Sequence, residues 1–228
     1  MKSVLSTKKL KENQRSLLLN AGISLVEYNA IKINFVPFEV PERIKNAIFT
    51  SQNGVNSFFA NVRSSAVEHC FCVGEKTKMA LERNGQNVIK TTEYASELAE
   101  YLVKNQKDRY FHFFCGNLRS EEIPSKLKDN NIAFEEIQVY KTTLTPKKFE
   151  RYFDAILFFS PSGVRSYCEV NLQGGLRQHL AGSGNFQSIF VCIGTTTASE
   201  AKKYTENVII ANATTVESVI AKTVKILK

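Results

Sequence analysis

Small hydroxyl-bearing and amide-bearing residues recur at four turns that follow apolar runs. Residues 51–58 (SQNGVNSF) are echoed at 160–167 (SPSGVRSY), and residues 72–77 (CVGEKT) are echoed at 192–197 (CIGTTT). A helical pattern follows each turn, so each turn is predicted to begin a helix. Backbone N–H groups point outward at such a terminus and favour anions. The pattern predicts two similar lobes that face one anionic ligand.

The candidate ligand-binding side chains share one property, which is a position at a predicted helix start. They are Ser51, Asn53, Thr77, Ser160, Ser162, Thr196 and Thr197. Each one taken singly is better explained as a helix cap. Their repetition at matching turns favours a divided anion site. Tyr140 lies in a presumed crossing between the lobes, from which it could reach that site, and a packing role in the linker is equally compatible with composition.

Other chemistries find little support in the residue pattern. The sequence contains neither GxGxxG nor a Walker P-loop, which argues against dinucleotide and P-loop nucleotide binding. His69, His112 and His179 are not spaced as metal ligands, so no metal site is expected. Ser160 follows an apolar run but lacks the GxSxG pattern of a nucleophile elbow, and a helix-capping role is favoured.

Composition is that of an ordinary globular protein. Of 228 residues, 43% are hydrophobic and 23% are charged, which is enough apolar material for a core without disulfides or metal. The formal net charge of +8 suits a surface bias, a nucleic-acid surface or a cleft for a polyanionic small molecule. Lysine and arginine are spread along the chain, which weakens the nucleic-acid interpretation.

The cysteines and the apolar segments bear on the compartment. Five cysteines form no CxxC pair and are odd in number, so buried thiols in a reducing compartment are expected. No apolar stretch approaches the length of about 20 residues that spans a membrane. The amino terminus has too short an apolar segment for a signal peptide. We expect a cytoplasmic protein that does not bind membranes.

Short apolar runs alternate with helical patterns, which predicts an α/β fold with parallel sheets. The predicted strands are 4–5, 25–28, 47–50, 70–73, 88–89, 110–114, 134–139, 155–159, 189–193 and 208–210. The last helix places Val216, Val219 and Ile220 on one face. Thr214 with Glu217 three residues later predicts a capping box at its start.

The repeat extends beyond the turns. The shift of 109 residues from Ser51 to Ser160 also carries 3–31 onto 112–140, and the shift from Gly74 to Gly194 is 120. The extra residues are assigned to a loop at 174–184. Three pieces therefore follow one another in the order a-b-c-a-b-c, where a is 3–31 and its repeat 112–140, b contains the turn at Ser51 and its repeat at Ser160, and c contains the turn at Gly74 and its repeat at Gly194.

Two divisions of the chain suit that order. One has two equal halves, and the other keeps the first piece with the last two and inserts a central lobe. Extended segments near 34–38 and 140–144 lie where the inserted lobe would be entered and left, which favours the second division. It gives one lobe from 1–34 with 144–228, an inserted lobe from 38–139, and linker crossings at 35–37 and 140–143.

At these residues the chain resembles the uroporphyrinogen-III synthase family. The resemblance is carried by short motifs in family order. They are Phe49-Thr50-Ser51 with Gly54-Val55, Val73-Gly74 with Thr77, Cys115-Gly116-Asn117-Leu118-Arg119, Val139-Tyr140-Lys141-Thr142, Phe158-Phe159-Ser160-Pro161-Ser162-Gly163 and Ile193-Gly194-Thr195-Thr196-Thr197-Ala198. It implies two flavodoxin-like lobes with parallel sheets, one inserted into the other, joined by a two-stranded linker.

The resemblance also implies an activity. Family members cyclise hydroxymethylbilane with inversion of ring D through a spiro intermediate, and lose water to give uroporphyrinogen III without a cofactor. It assigns Tyr140 to helping the hydroxyl leave, and Thr77 with the turns at Ser160 and Thr196 to substrate binding. A monomer is expected. The alternatives are a non-catalytic binding module for an anionic small molecule and, less favoured, a nucleic-acid-binding protein.

Overall fold

A computed structural model describes residues 1–62, 66–172 and 188–228, and its contacts divide the chain into two compact units. Unit 1 contains residues 1–32 and 143–228, and unit 2 contains residues 33–142. The segment of unit 2 is therefore inserted into unit 1 along the chain. The lobe limits and linker crossings drawn from the sequence stay a prediction, and the predicted loop at 174–184 lies outside the described residues.

Strands and helices alternate through most of the chain. The first half contains β1 (Ser3–Ser6), α1 (Glu12–Leu19), β2 (Ser24–Glu27), β3 (Ile31–Phe35), β4 (Arg43–Phe49), α2 (Gln52–Asn61), β5 (Ala66–Val73), α3 (Glu75–Arg83), β6 (Val88–Thr92) and α4 (Ala95–Asn105). The second half contains β7 (Phe111–Gly116), α5 (Glu122–Asp129), β8 (Phe134–Leu144), β9 (Ala155–Phe158), α6 (Pro161–Asn171), β10 (Ile189–Cys192), α7 (Thr195–Ala201), β11 (Val208–Ile210) and α8 (Val216–Leu227).

Unit 1 contains a five-stranded sheet in the order β11-β10-β9-β1-β2. Every adjacent pair in it is parallel. Numbered along the unit, its strands lie in the order 2-1-3-4-5, which is the flavodoxin-like order. The predicted α/β class and the parallel sheet are confirmed here.

Unit 2 contains a six-stranded sheet in the order β3-β8-β7-β4-β5-β6. The pairs from β8 to β6 are parallel. The edge strand β3 runs antiparallel to β8, because the N–H of Val36 bonds the carbonyl of Val139 while the N–H of Thr145 bonds that of Ala30. The chain passes between the units within β3 and β8.

The two sheets are circular permutations of each other. The a-b-c pieces occupy β2-β1, β9 and β10-β11 in unit 1, and β8-β7, β4 and β5-β6 in unit 2. The spatial order is the same, although unit 2 begins its chain at piece b. When the edge strand β3 is set aside and the other five strands are numbered from β4, the strands of unit 2 lie in the order 3-2-1-4-5. Permutation explains why the sequence repeat appears as a-b-c-a-b-c.

Helix ends related by the shift of 109 share their backbone geometry. Gly22 after α1 and Asn131 after α5 both have left-handed backbones, with φ of 72° and 54°. In each case the next residue donates its N–H to a leucine carbonyl, Ile23 to Leu18 and Ile132 to Leu127. This is a helix-terminating motif that glycine and asparagine tolerate best. The repeat is thus present in the backbone structure as well as in the amino-acid sequence.

Apolar clusters cover both faces of each sheet. In unit 2, Phe49 and Ile48 are adjacent in β4 but belong to different buried clusters, because successive strand residues point to opposite faces. Phe114 packs against Phe49 and Phe58, with ring centroids 5.1 and 4.7 Å apart. These aromatic contacts anchor α2 to the sheet, and α2 begins at Gln52, directly after Ser51.

Several local predictions are wrong by one residue or more, and strand β3 (Ile31–Phe35) was not predicted. Helix α8 is capped by Thr215, whose side chain accepts from the N–H of Ser218, and not by Thr214. Glu217 instead accepts from the side chain of Gln14 at 2.6 Å, which ties α8 to α1. Tyr110, predicted to begin a strand, lies just before β7, which starts at Phe111.

Replacing Phe114 with alanine should destabilise the protein strongly. The ring is 1% exposed and lies among other aromatic rings, so its loss removes buried area and leaves a cavity. We expect a cost of about 3–5 kcal/mol in the free energy of unfolding, measured by urea denaturation. Met79→Ala, at a side chain 43% exposed, is the control. Equal effects of the two substitutions would contradict the packing role.

Stability should fall at alkaline pH because buried thiols resist ionisation. Burial raises the pKa of Cys70 and of Cys192 from 9.0 to about 12. The unfolded thiols ionise first, so the stabilisation is present below pH 9 and is lost as the pH rises towards 12. Each thiol contributes a slope of about 1.4 kcal/mol per pH unit in this window. Cys192→Ala should flatten the urea-derived profile above about pH 9, and an unchanged slope would contradict the assignment.

Candidate functional site

Ser51 caps α2 directly after strand β4. Its extended backbone (φ −154°, ψ 148°) turns the chain into the helix, and its Oγ accepts the N–H of Gly54 at 3.1 Å. This is the arrangement expected of a serine N-cap. The hydroxyl is half-buried at the carboxyl end of β4, beside the central strand β7.

Tyr140 directs its hydroxyl to Ser51. It lies in β8, 89 residues along the chain, and its Oη is 2.9 Å from Ser51 Oγ. Either oxygen can be the donor, because each hydroxyl carries one proton and accepts as well. Of the eight predicted site residues, these two are joined directly by a hydrogen bond. The contact lies where β4 and β7 meet, and this is the crevice in which open α/β sheets bind their ligands.

Gly116 provides the space that the ring of Tyr140 occupies. The two residues are paired in register across β7 and β8, next to a shift in that register. A Cβ atom built on Gly116 would lie 2.5 Å from two ring carbons of Tyr140 and 2.9 Å from its hydroxyl. Glycine is required here by close approach of a side chain.

The segment after β7 is fastened to β8 on both sides of the ring. The side-chain amide of Asn117 donates to the carbonyl of Thr142 at 3.2 Å and accepts its N–H at 2.7 Å. Arg119 forms ion pairs with Glu136 of β8 and with Glu121. These contacts fix the backbone that carries Tyr140. Gly116 and Asn117 lie inside family motifs, yet their role was not predicted, because it arises from pairing between strands.

The pKa of Tyr140 is raised above its ordinary value. Burial is the main cause, the Ser51 hydrogen bond opposes it, and the nearby Cys115 adds to it. The phenol is therefore protonated at neutral pH and can donate a hydrogen bond or a proton. A half-buried phenol with one fixed partner suits general-acid chemistry.

Unit 1 contains the same turn, and among its described residues no tyrosine hydroxyl is bonded to the serine. Ser160 caps α6 and accepts the N–H of Gly163 at 3.1 Å, as Ser51 does with Gly54. The residue that corresponds to Gly116 by the shift of 109 is Thr7, whose Oγ1 donates to the carbonyl of Leu157 at 2.7 Å. The two turns are alike in backbone and differ in what faces the serine.

The remaining predicted residues divide by exposure. Thr77 and Thr197 are each the third residue of a helix, and they are only 4% and 3% exposed. Thr196 is exposed, and Asn53 and Ser162 are half-buried in the first turns of α2 and α6. Burial leaves Thr77 and Thr197 little surface for a ligand, which the sequence pattern did not indicate.

A cavity of about 530 Å³ lies at the opposite end of the sheet of unit 2. It is lined by the amino-terminal ends of β4, β5 and β7 and by none of the eight predicted residues. Its arginines are partly satisfied within the protein, Arg43 by Glu68 at 3.0 Å and Arg109 by Asn46 at 3.0 Å. We therefore place the candidate site at the carboxyl ends of the strands, where Tyr140 lies, and not in this cavity.

Two kinds of feature are absent from the described ranges 1–62, 66–172 and 188–228, namely a cluster of metal ligands and a membrane-spanning helix. Among those residues, no three His, Cys, Asp or Glu side chains are grouped as a metal ion requires. In the same part of the chain, no helix is long and apolar enough to cross a bilayer.

The fold and the site define a class of protein. It is an α/β protein of two permuted flavodoxin-like units, one inserted into the other along the chain, with capped helix starts at the carboxyl ends of the strands. A family model described as "Uroporphyrinogen-III synthase HemD" matches residues 13–221. The chain belongs to this family.

A curated relative supports the assignment at the level of sequence. The "Porphyrin biosynthesis protein HemD" of Ruminiclostridium josui is 26% identical over 241 residues. The alignment covers 92% of this chain and 45% of the relative. The chain thus spans a little under half the length of the curated relative that it matches.

Solved structures support the assignment at the level of fold. Uroporphyrinogen-III synthetase from Helicobacter pylori aligns with a TM-score of 0.69 at 14% identity, covering 99% of this chain and 100% of that one. A mutant uroporphyrinogen III synthase from Thermus thermophilus aligns with a TM-score of 0.70 at 15% identity, covering 100% of this chain and 99% of that one. The α/β fold is shared although the sequences have diverged.

Gly116→Ala should displace the ring of Tyr140. The added methyl group would overlap two ring carbons, so the ring must move and its bond to Ser51 must lengthen. We expect a destabilisation of about 1–3 kcal/mol by urea unfolding, together with a shifted Tyr140 ring in a crystal structure.

Gly163→Ala is the matched control for this substitution. A Cβ there would lie 3.4 Å from Ser160 Oγ and 3.5 Å from Thr7 Oγ1, which is close to ordinary contact. A Gly116→Ala protein that kept both wild-type stability and the 2.9 Å bond between Ser51 and Tyr140 would contradict the packing argument.

Proposed function

We propose that the protein is a uroporphyrinogen-III synthase, a hydro-lyase that cyclises hydroxymethylbilane to uroporphyrinogen III with inversion of ring D. The observation that carries the proposal is the family match over residues 13–221. The net charge of +8 suits this polycarboxylate substrate. The protein is expected to act as a cytoplasmic monomer without a cofactor.

Tyr140 is the proposed proton donor. The bond between the hydroxymethyl carbon and its oxygen breaks, the pyrrole supplies the electron pair, and the oxygen leaves as water with the proton of Tyr140. The substituted α-carbon of ring D then bonds to the freed methylene carbon and gives a spiro intermediate. The bond from that ring carbon to its original bridging carbon breaks, and the bridging carbon bonds to the unsubstituted α-carbon of ring D, which is thereby inverted. The carbon at which the ring closes loses a proton, and that proton restores Tyr140. The support for this role is geometric, because the Tyr140 hydroxyl is held 2.9 Å from Ser51 Oγ at the carboxyl ends of β4 and β7.

Substrate binding is assigned to hydroxyls and N–H groups at helix starts. Ser160 and Ser162 in unit 1 and Asn53 in unit 2 are half-buried, and Thr196 is exposed, so their polar groups are open to carboxylates. Thr77 and Thr197 are proposed to act through the backbone N–H groups of their turns, since their side chains are buried. Because the pyrroles are already electron-rich, binding mainly has to hold the linear substrate curled.

The decisive assay supplies hydroxymethylbilane and separates the uroporphyrinogen isomers. The type III isomer should form faster than the type I isomer, which is the product of spontaneous closure. Formation of type I alone, at the rate without protein, would contradict the proposed function. Saturable binding of the substrate without turnover would instead identify a non-catalytic binding module.

Tyr140→Phe should lower kcat by roughly 10²-fold, because a positioned general acid contributes about that much. The fold should be retained, since the phenylalanine ring fills the same space beside Gly116. Tyr94→Phe, at an exposed tyrosine of unit 2, is the matched control and should keep wild-type kcat. A Tyr140→Phe protein with wild-type kcat would remove the proton-donor role.

A further inference from the structure

Three groups form a continuous hydrogen-bonded chain in unit 2. The N–H of Gly54, at the start of α2, donates to Ser51 Oγ at 3.1 Å, and Ser51 Oγ lies 2.9 Å from Tyr140 Oη. A serine hydroxyl has one proton and two acceptor sites. The N–H of Gly54 fills one acceptor site, so the proton of Ser51 and its second acceptor site are left for Tyr140.

We propose that Ser51 is a positioning residue that acts through Tyr140, and that it stabilises the oxygen of Tyr140 while that oxygen gives up its proton. The inference rests on the proposed function for its catalytic consequence, and it gives Ser51 a different task from the substrate binding predicted from the turn. The hydrogen bond between the two side chains does not involve substrate, so it can be tested in the free protein.

The reaction fixes Ser51 as the donor in this bond, because Tyr140 has one proton and must direct it at the leaving hydroxyl group. While Tyr140 is neutral, either hydroxyl can donate to the other. When the proton of Tyr140 passes to the departing hydroxyl group, the oxygen of Tyr140 becomes negative, and only the Ser51 hydroxyl can then donate. Where Tyr140 donates to Ser51 in the free protein, rotation of the two O–H bonds reverses the donor without movement of heavy atoms. The N–H of Gly54 remains on Ser51 Oγ and strengthens its O–H as a donor.

The surrounding contacts keep Tyr140 in reach of Ser51. Gly116 lies against one side of the ring, and the amide of Asn117 clasps Thr142 two residues beyond Tyr140. Ser51 itself is fixed as the cap of α2. Preorganised donors of this kind stabilise developing charge without reorganisation at the moment of reaction.

Unit 1 supplies an internal control. Ser160 has the same cap geometry, and its Oγ likewise accepts the N–H of a glycine, Gly163. Within the described residues its Oγ is not bonded to a tyrosine. Substituting Ser160 removes an equivalent helix cap and leaves the Ser51 hydroxyl, with its bond to Tyr140, in place. Effects that Ser51 exerts through Tyr140 should therefore be absent from Ser160→Ala.

The first test measures the pKa of Tyr140 without any substrate. The chain contains no tryptophan and eight tyrosines, so phenolate formation is followed by near-ultraviolet absorbance and Tyr140 is isolated by subtraction of a Tyr140→Phe protein. Ser51→Ala removes the donor to the phenolate and should raise the pKa of Tyr140 by roughly 0.5 to 1. Each Ser51 variant needs its own Tyr140→Phe partner for the subtraction.

The control variants sharpen this test. Ser160→Ala should leave the pKa of Tyr140 unchanged, and Ser51→Thr, which keeps the hydroxyl, should restore it. Should Ser51→Ala fold poorly, Ser51→Gly removes the hydroxyl while keeping a residue that is tolerated as a helix cap. An unchanged Tyr140 pKa in a folded Ser51→Ala or Ser51→Gly protein overturns the inference.

The second test measures kcat and KM with hydroxymethylbilane. Ser51→Ala should lower kcat by roughly three- to tenfold with little change in KM. In the Tyr140→Phe background the same substitution should have almost no effect, because its target is gone. A raised KM that persists in the Tyr140→Phe background would show direct substrate binding by Ser51 and overturn the inference.

The two tests fail independently. If no type III isomer forms in any variant, the proposed function fails, while the pKa of Tyr140 still reports the contact with Ser51. If the type III isomer forms normally but the two substitutions are additive in kcat, the function stands and the role of Ser51 is rejected.

Discussion

Parallel strand pairing is the constraint on which the rest of the structure depends. Because parallel neighbours run in one direction, their carboxyl ends collect along a single edge of each sheet. In unit 2 this brings together Ser51 after β4, Gly116 at the end of β7 and Tyr140 in β8. The aromatic packing of Phe114 on α2 and the clasp between Asn117 and Thr142 then hold that edge in place.

The same architecture occurs twice with different consequences. Both units have the strand order a-b-c in space, and both cap a helix with a serine whose Oγ accepts a glycine N–H at 3.1 Å. In unit 2, β7 ends at Gly116 and β8 carries Tyr140, whereas in unit 1 Thr7 occupies the place that corresponds to Gly116. Of these two capping serines, Ser51 is hydrogen-bonded to a tyrosine hydroxyl, and within the described residues Ser160 is not.

Much of the fold follows from local sequence pattern. Apolar runs, caps and the shift of 109 predicted the parallel α/β class and every described strand except β3, because periodicity and capping depend on residues a few positions apart. The site was predicted less completely. The serine caps were identified, but the burial of Thr77 and Thr197 was not, since a residue in the first turn can face the core or solvent. Gly116 belongs to a family motif but no role was predicted for it, because its role depends on the side chain of Tyr140, which is distant in sequence and becomes a neighbour only through strand pairing.

The sequence by itself determined where helices begin, which runs become strands and to which family the order of motifs points. These properties are local or are carried by the order of residues along the chain. Only the tertiary structure decided that the hydroxyl of Tyr140 meets that of Ser51, 89 residues away, over a glycine that leaves room for the ring. The physical reason is that strand order and register are set by many long-range contacts acting together, and they alone decide which carboxyl ends become neighbours.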